Sequence, residues 1–260
     1  MQIAANQSQD FALPIELPPV GEGVTFDTQM TITLVDRAGE ERARTEDTLW
    51  LFPKDPFAAR REWLKGLNIH LYDPEGATEV IFEQANIPFD KLTNSNTLAS
   101  LEEGILVVGE GTSLRKNRAM AAALFSLAQR GIPVLCLGPV DGELPWPTRE
   151  DYPHLAQVRL ASNEIVREFD KRLSAKFAPD PSSPASTVSL ESRRGRLTLH
   201  ISDSSEGWPW WQLDFENHGT CIVCCLPLVE HWDDSPTPRF LFASILEELS
   251  SGFQLSPAEQ

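Results

Sequence analysis

The first clear pattern in the chain is an alternation of apolar and polar residues. In "VTFDTQMTITLVD" one face of an extended chain carries Val24, Phe26, Met30, Ile32 and Leu34. A period of two indicates a half-buried β-strand. After the turn "DRAGE", the segment "ERARTEDTLWLFP" returns as a second strand. We therefore predict an extended lead-in over residues 1–23 and a β-hairpin extension over residues 24–53.

From about residue 66 the pattern changes to short strands that are apolar on both faces and alternate with helices. The strands are "LNIHLYD", "EEGILVVGEGTS" and "IPVLCLG". The helices are "GATEVIFEQA" and "SLRKNRAMAAALFSLAQRG", the second closed by Gly131 at the expected C-terminal position. Strands without alternation indicate a parallel sheet covered on both sides. The pattern predicts a three-layer, flavodoxin-like α/β domain with a mostly parallel sheet over residues 54–252.

The C-terminal third contains a polar break and further strands. Residues 178–196, "APDPSSPASTVSLESRRGR" (from Ala178), are rich in Pro and Ser and predict a flexible insertion. Strand-like "LTLHISD", "WWQLDFEN" and "TCIVCCLPLV" follow. A last helix is predicted with Thr237 as its cap, Pro238 at its first position and Gly252 beyond its end. Residues 253–260 are predicted to be a tail.

Composition and charge narrow the function classes. The 260 residues include 22 basic and 38 acidic side chains, for a net charge of −16. Such a charge repels phosphate backbones and anionic membranes, which excludes nucleic acid and membrane partners. Neither a signal peptide nor an apolar run of membrane-spanning length is visible, so a cytoplasmic location is expected. The four cysteines show no disulfide framework, and we predict reduced thiols, no metal and no cofactor.

Short phrases near Cys136 resemble a known enzyme family. The loop "GEGT" follows one strand, "CLG" ends the next, and "HWD" at residues 231–233 follows a late strand. This arrangement resembles the core of class I glutamine amidotransferases. The resemblance implies a cysteine-dependent amidohydrolase in which Cys136 is the nucleophile, His231 the base, and Asp233 the residue that orients the base.

The residues around Cys136 argue against that activity. A nucleophile elbow needs a small residue two positions before the nucleophile, and β-branched Val134 stands there. It also needs a helix directly afterwards, whose N-terminus lowers the thiol pKa. The chain continues instead with "PVDGELPWPTREDYP", whose prolines predict a loop. The sequence therefore favours a buried, unreactive thiol.

A second resemblance accounts for the same features. The phrases "LWLFP", "ILVVGEGTS" and "IVCCLPLVEHWDDSPTPRFLFASIL" together resemble the accessory region of β-galactosidase-type glycoside hydrolases. There, a degenerate amidotransferase-like domain contributes to assembly or to the wall of the substrate cleft. The resemblance implies a non-catalytic interaction or assembly module linked to carbohydrate processing, with a protein partner or self-association. No catalytic barrel fits into the chain, so glycosidase activity is not implied.

Two binding sites are alternatives to this interpretation. The first is an anion site in the loop between a strand and a helix, formed by Gly109, Gly111, Thr112, Ser113 and Arg115. Its simpler interpretation is a tight turn, because the loop lacks the rest of a P-loop or dinucleotide motif.

The second alternative is a carbohydrate-contacting surface. The aromatic residues that suggest it are Trp146, Trp208, Trp210 and Trp211. Tryptophan faces are rigid platforms for ligands, but bulky aromatic residues more often pack within a core. Both interpretations are open at the level of the sequence.

Overall fold

The structure is a computed structural model that describes residues 15–176, 186–193, 195–204, 206–217 and 219–251. The chain divides into two compact units, residues 1–54 and 55–260. The boundary falls one residue after the predicted end of the N-terminal extension. The predicted tail and the first 14 residues of the predicted lead-in lie outside the described residues.

The first unit is a two-stranded antiparallel ribbon. Its strands are β1, Phe26–Val35, and β2, Glu41–Leu51, whose pairing runs from Phe26 opposite Leu51 to Leu34 opposite Ala43. Asp36 stabilises the turn, since its Oδ1 accepts hydrogen bonds from the amides of Ala38 at 2.8 Å and Glu40 at 3.0 Å. We call these two strands and their turn the N-terminal ribbon.

The second unit contains ten strands and five α-helices among its described residues. The strands are β3 Ile69–Tyr72, β4 Asp90–Lys91, β5 Ile105–Val108, β6 Val134–Leu137, β7 Gly142–Pro145, β8 Leu155–Ala161, β9 Thr187–Arg193, β10 Arg196–Ser202, β11 Trp210–Phe215 and β12 Thr220–Cys224. The helices are α1 Arg61–Gly66, α2 Ala77–Gln84, α3 Arg118–Gln129, α4 Ile165–Phe169 and α5 Pro236–Ser251. Short 3-10 helices span Ala58–Arg60 and Ser95–Ser100.

Seven of these strands form one mixed sheet in the order β4-β3-β5-β6-β12-β11-β8. The first five are parallel, and β11 and β8 continue the sheet antiparallel. All side chains of β5 and β6 are buried, as strands covered on both faces require. The predicted α/β class and mostly parallel sheet are therefore confirmed.

Helices lie on both faces of this sheet. Trp211 of β11 packs against Phe125 of α3 with ring centroids 5.6 Å apart. The next residue, Gln212, donates a hydrogen bond of 3.4 Å to Glu248 of α5. Because successive strand residues point to opposite faces, α3 and α5 cover opposite sides of β11. Helix α3 ends where predicted, since Gly131 has φ +91° and its amide bonds to the carbonyl of Ala128.

A three-stranded antiparallel sheet, β7-β10-β9, packs on the α3 side of the core. Two of its strands correct the sequence predictions. Strand β7 lies in the proline-rich segment after Cys136 that was predicted to be a loop. Strand β9 occupies residues 187–193 of the predicted flexible insertion 178–196, of which residues 178–185 and 194 lie outside the described part. Both pair with β10, in which apolar and polar residues clearly alternate.

The start of α5 also differs from the prediction. The helix begins at Pro236, two residues before Pro238, which was predicted to be its first position. Thr237 lies inside the first turn, and its hydroxyl accepts a hydrogen bond of 3.2 Å from the amide of Ser174. The predicted end at Gly252 lies outside the described residues.

Candidate functional site

Cys136 lies in the centre of the parallel sheet. It is completely buried in β6, opposite Val108 of β5 on one side and Val223 of β12 on the other. Burial raises the pKa of its thiol well above the usual value, and the neighbouring Cys221 and Cys225 raise it further. Since the thiolate is the nucleophile, the raised pKa and the complete burial both oppose attack by this cysteine.

The chain after Cys136 forms no helix. Gly138 turns it with φ +36°, and its amide donates to the carbonyl of Cys224 at 2.7 Å. The chain then enters β7 and reaches β8 through turns, with no helix between residues 138 and 155. The chain after Cys136 therefore offers no helix N-terminus to the sulfur, as the sequence predicted. This explains why no local effect offsets the burial of the thiol.

His231 is buried and pairs with a different carboxylate from the one predicted. Its Nδ1 lies 2.6 Å from Oδ2 of Asp234. Asp233, the predicted orienting residue, is exposed and accepts a hydrogen bond of 3.3 Å from Arg239 instead. A carboxylate can only accept, so Nδ1 carries a proton. The other ring nitrogen, Nε2, is buried without a hydrogen-bond partner.

Glu110 connects loops at one end of the parallel strands. We call this end, formed by the loops that follow β3, β5, β6 and β12, the carboxyl edge of the sheet. The carboxylate of Glu110 accepts hydrogen bonds from the amide of Val229 at 2.9 Å and from that of Glu230 at 3.0 Å. Its own amide donates to the hydroxyl of Thr78 in α2 at 2.9 Å. Burial raises the pKa of Glu110, although the two amides act in the opposite direction. We call the Glu110 carboxylate and its two amide donors the Glu110 clamp.

Gly138 leaves the space that the Glu110 clamp needs. A Cβ atom at this position would lie 2.6 Å from Cγ of Glu110, well inside contact distance. The carbonyl of Gly138 also accepts the amide of Gly111 at 3.0 Å. The loops after β5, β6 and β12 are thus joined to one another over the end of β6. Glycine at position 138 fits the close approach as well as the positive φ.

The predicted anion loop holds a carboxylate from its own chain. Oδ1 of Asp141 accepts a hydrogen bond of 2.5 Å from the hydroxyl of Ser113 and one of 3.3 Å from the amide of Arg115. The Ser113 hydrogen bond holds the pKa of Asp141 below its usual value. An external anion would have to displace this carboxylate.

The other predicted members of the anion loop bond within the protein. The amides of Gly109 and Gly111 donate to the carbonyls of Tyr72 at 2.9 Å and Gly138 at 3.0 Å. The Thr112 hydroxyl donates to the carbonyl of Gly109 at 2.7 Å. These donors are therefore satisfied without a ligand.

The four tryptophans predicted to contact carbohydrate occupy different environments. Trp210 and Trp211 are completely buried, against Phe169 and Phe125 respectively. Trp146 is half-buried against the core, and Trp208 is 37% exposed. Only the last two present any ring surface to solvent, so a carbohydrate surface would rest on them.

Three acidic residues of this region were not among the predicted site residues, namely Glu110, Asp141 and Asp234. Glu110 stands between two glycines at a strand end, which is a recognisable signal for a functional loop. Asp141 and Asp234 had no signal beyond their charge, because many acidic side chains lie in loops.

No protein-family model, curated protein or solved structure matches the chain. Within the described ranges, every helix is too short or too polar to cross a bilayer.

Proposed function

We propose that this chain is a non-catalytic module of amidotransferase-like type that acts through interaction or assembly. The observation that carries the proposal is the complete burial of Cys136 in a central strand that continues into a strand and not into a helix. A thiol attack at this position would require both a new backbone course after residue 137 and access for a substrate. Neither requirement is met in the described residues.

The strand order supports the amidotransferase-like part of the proposal. Numbered along the chain, the five parallel strands follow the order 2-1-3-4-5, which is the flavodoxin-like order. Together with helices on both faces, it fits a three-layer arrangement. Proteins of this class bind ligands at the carboxyl edge, where the strand order reverses, which here is between β3 and β5.

At that reversal point the chain's own side chains occupy the space. The carboxylate of Asp73 accepts the amides of Gly76 at 3.1 Å and Glu79 at 2.8 Å at the start of α2. A Cβ at Gly109 would lie 2.5 Å from Oδ1 of Asp73, so the two loops are closely packed. The Glu110 clamp fills the adjacent position. In enzymes of this fold class the carboxyl edge holds substrates. Here the close packing of the edge favours a structural role.

The cysteine-dependent alternative keeps one element of catalytic geometry. The pairing of His231 with Asp234 leaves Nε2 as the free ring nitrogen, as a general base requires. However, a base alone does not activate a thiol that is buried among apolar residues. The link to carbohydrate processing rests on the sequence resemblance and on the exposed ring of Trp208.

Thiol reactivity tests the non-catalytic proposal directly. All four cysteines are buried, so a water-soluble thiol reagent at neutral pH should label the native protein only as fast as it unfolds. The Thr45→Cys variant supplies an exposed thiol as the reference for fast labelling, because Thr45 lies on the exposed strand β2. Rapid labelling of Cys136 by a diazoketone analogue of glutamine, or release of ammonia from glutamine that Cys136→Ala abolishes, would overturn the proposal.

A further inference from the structure

Strand β1 has one unpaired edge in the part of the chain that the structure describes. Among the described residues β1 pairs with β2 alone, so its second row of backbone donors and acceptors has no strand partner. Its ten residues include no proline and one charged side chain, Asp27. Natural proteins protect exposed edge strands with charges, prolines or bulges. The first nine residues of β1 have none of these except that single charge near one end.

Strand β2 differs from β1 in this respect. Five of its eleven residues are charged, namely Glu41, Arg42, Arg44, Glu46 and Asp47. Charged side chains along a strand oppose edge-to-edge pairing. The two edges of the N-terminal ribbon are therefore unequal, and β1 is the edge that favours a partner strand.

One face of the N-terminal ribbon is also apolar. Met30, Ile32 and Leu34 lie on the same face of β1, opposite Asp47, Thr45 and Ala43. The side chains of Ile32 and Leu34 are 46% and 63% exposed. A two-stranded ribbon is marginally stable in water, and three or more strands with an apolar face are needed for independent stability. A second ribbon beside β1 would supply that size and extend the apolar face.

We propose that β1 pairs antiparallel with β1 of a second copy of this chain, forming a four-stranded sheet across a two-fold axis. This inference rests on the proposed function, because it names the surface through which the module assembles.

The register follows from the chain. With Met30 opposite its own copy, Thr28 faces Ile32 and Phe26 faces Leu34, so apolar side chains continue across the interface on one face. The pairing spans residues 26–34 and ends where the register with β2 becomes irregular, between Leu34 and Val35.

Charge favours a second copy over a strand of opposite charge. In this register Asp27 faces Thr33, and the two copies of Asp27 lie at opposite ends of the paired strands. No like charges meet across the interface, and no cluster of charge selects an oppositely charged partner. Each copy still carries a net charge of −16, which opposes association at long range. Raising the salt concentration from about 0.05 to about 0.5 M should therefore strengthen the dimer, since it screens this repulsion.

Disulfide trapping tests the pairing and its register together. Residues that face each other across antiparallel strands have Cα atoms about 4.5–5.5 Å apart, within the range of a disulfide. The four native cysteines are buried, so Met30→Cys adds the accessible thiol. Mild oxidation should convert Met30→Cys to a covalent dimer. Thr45→Cys, on the same face but on β2, should remain monomeric, as should Thr31→Cys, which faces Gln29 in this register.

Sedimentation analysis of the unmodified chain is the second measurement. We expect a concentration-dependent dimer, weakened about tenfold or more by Ile32→Lys because two symmetry-related cross-strand pairs are lost. Thr45→Lys, its neighbour in register on β2, should leave the dimer intact. A chain that is monomeric at all concentrations, or equal cross-linking at positions 30 and 45, would overturn self-pairing, even if another protein binds the ribbon. The thiol-labelling test of the proposed function does not depend on either result.

Discussion

The carboxylate of Glu110 and the amide of Val229 form a hydrogen bond of 2.9 Å although 119 residues separate them in the chain. With the amide of Glu230, the bond joins the loop after β5 to the loop after β12 across the end of β6. The clamp thus holds these two loops together at the carboxyl edge of the sheet. Its energetic role can be measured by substitution.

Removing the Glu110 side chain should destabilise the fold. Glu110→Ala leaves two amides without their acceptor, and we expect a loss of about 1–3 kcal/mol in the free energy of unfolding. Urea denaturation at neutral pH measures it. Glu230→Ala is the matched control, because Glu230 is exposed and contributes its backbone amide, which the substitution retains. Equal stability of Glu110→Ala and the parent chain would show that water replaces the carboxylate without cost.

The pH dependence of stability should carry the signature of Glu110. Its pKa in the folded protein is raised above the usual value of 4.5, so the folded state holds this proton more tightly than the unfolded state. The resulting stabilisation is complete below the unfolded pKa and is lost as pH rises through the folded pKa. The stability of the parent chain minus that of Glu110→Gln should therefore decrease as pH rises from about 4 and then become constant. An increase across this window would contradict the assignment.

The contribution of Asp141 to stability should depend on pH in the opposite direction. Its pKa is lowered from 3.8, first by the hydrogen bond from Ser113, so its stabilisation is present above the unfolded pKa and is lost as pH falls through the folded one. At neutral pH, Asp141→Asn should cost about 1 kcal/mol, and the difference should shrink below about pH 4. Ser113→Ala should reproduce part of the loss and move the pKa of Asp141 back towards 3.8. Acid and urea denaturation of the three variants would separate these effects.

The partner of His231 can be identified by nitrogen NMR. Because Asp234 accepts from Nδ1, the neutral ring should carry its proton on Nδ1. Asp234→Ala should shift the proton towards Nε2, whereas Asp233→Ala should leave the ring signals unchanged. A His231→Gln sample assigns the resonances among the five histidines. A tautomer change in Asp233→Ala alone would contradict the observed pairing.

Local patterns predicted the centre of the fold better than its periphery. The runs Ile105–Val108 and Val134–Leu137 are short and apolar on both faces, and each became a buried strand of the parallel sheet. Strands β7 and β9 were missed because glycine, proline and serine surround them. Both are outer strands of the three-stranded sheet, where pairing with β10 outweighs weak local preference.

At the candidate site, the sequence predicted local features but not the partners of individual side chains. The sequence predicted that Cys136 lacks a following helix, because the prolines after it are a local signal. It could not distinguish Asp234 from Asp233, since adjacent residues of the same chemistry differ in the direction of their side chains. The partner of Glu110 was hidden for another reason. Backbone amides are present at every residue except proline, so only the folded chain selects Val229 and Glu230.

The Glu110 clamp has a consequence for protein engineering. Two neighbouring N–H groups converge on a point at the sheet edge, and a single side chain of the same protein supplies their anion. Truncating that side chain to alanine would leave these two N–H groups without their anion, and formate or acetate would bring back the same carboxylate chemistry. The fold therefore offers a ready starting point for designing carboxylate recognition, with the backbone donors already aligned before any ligand arrives.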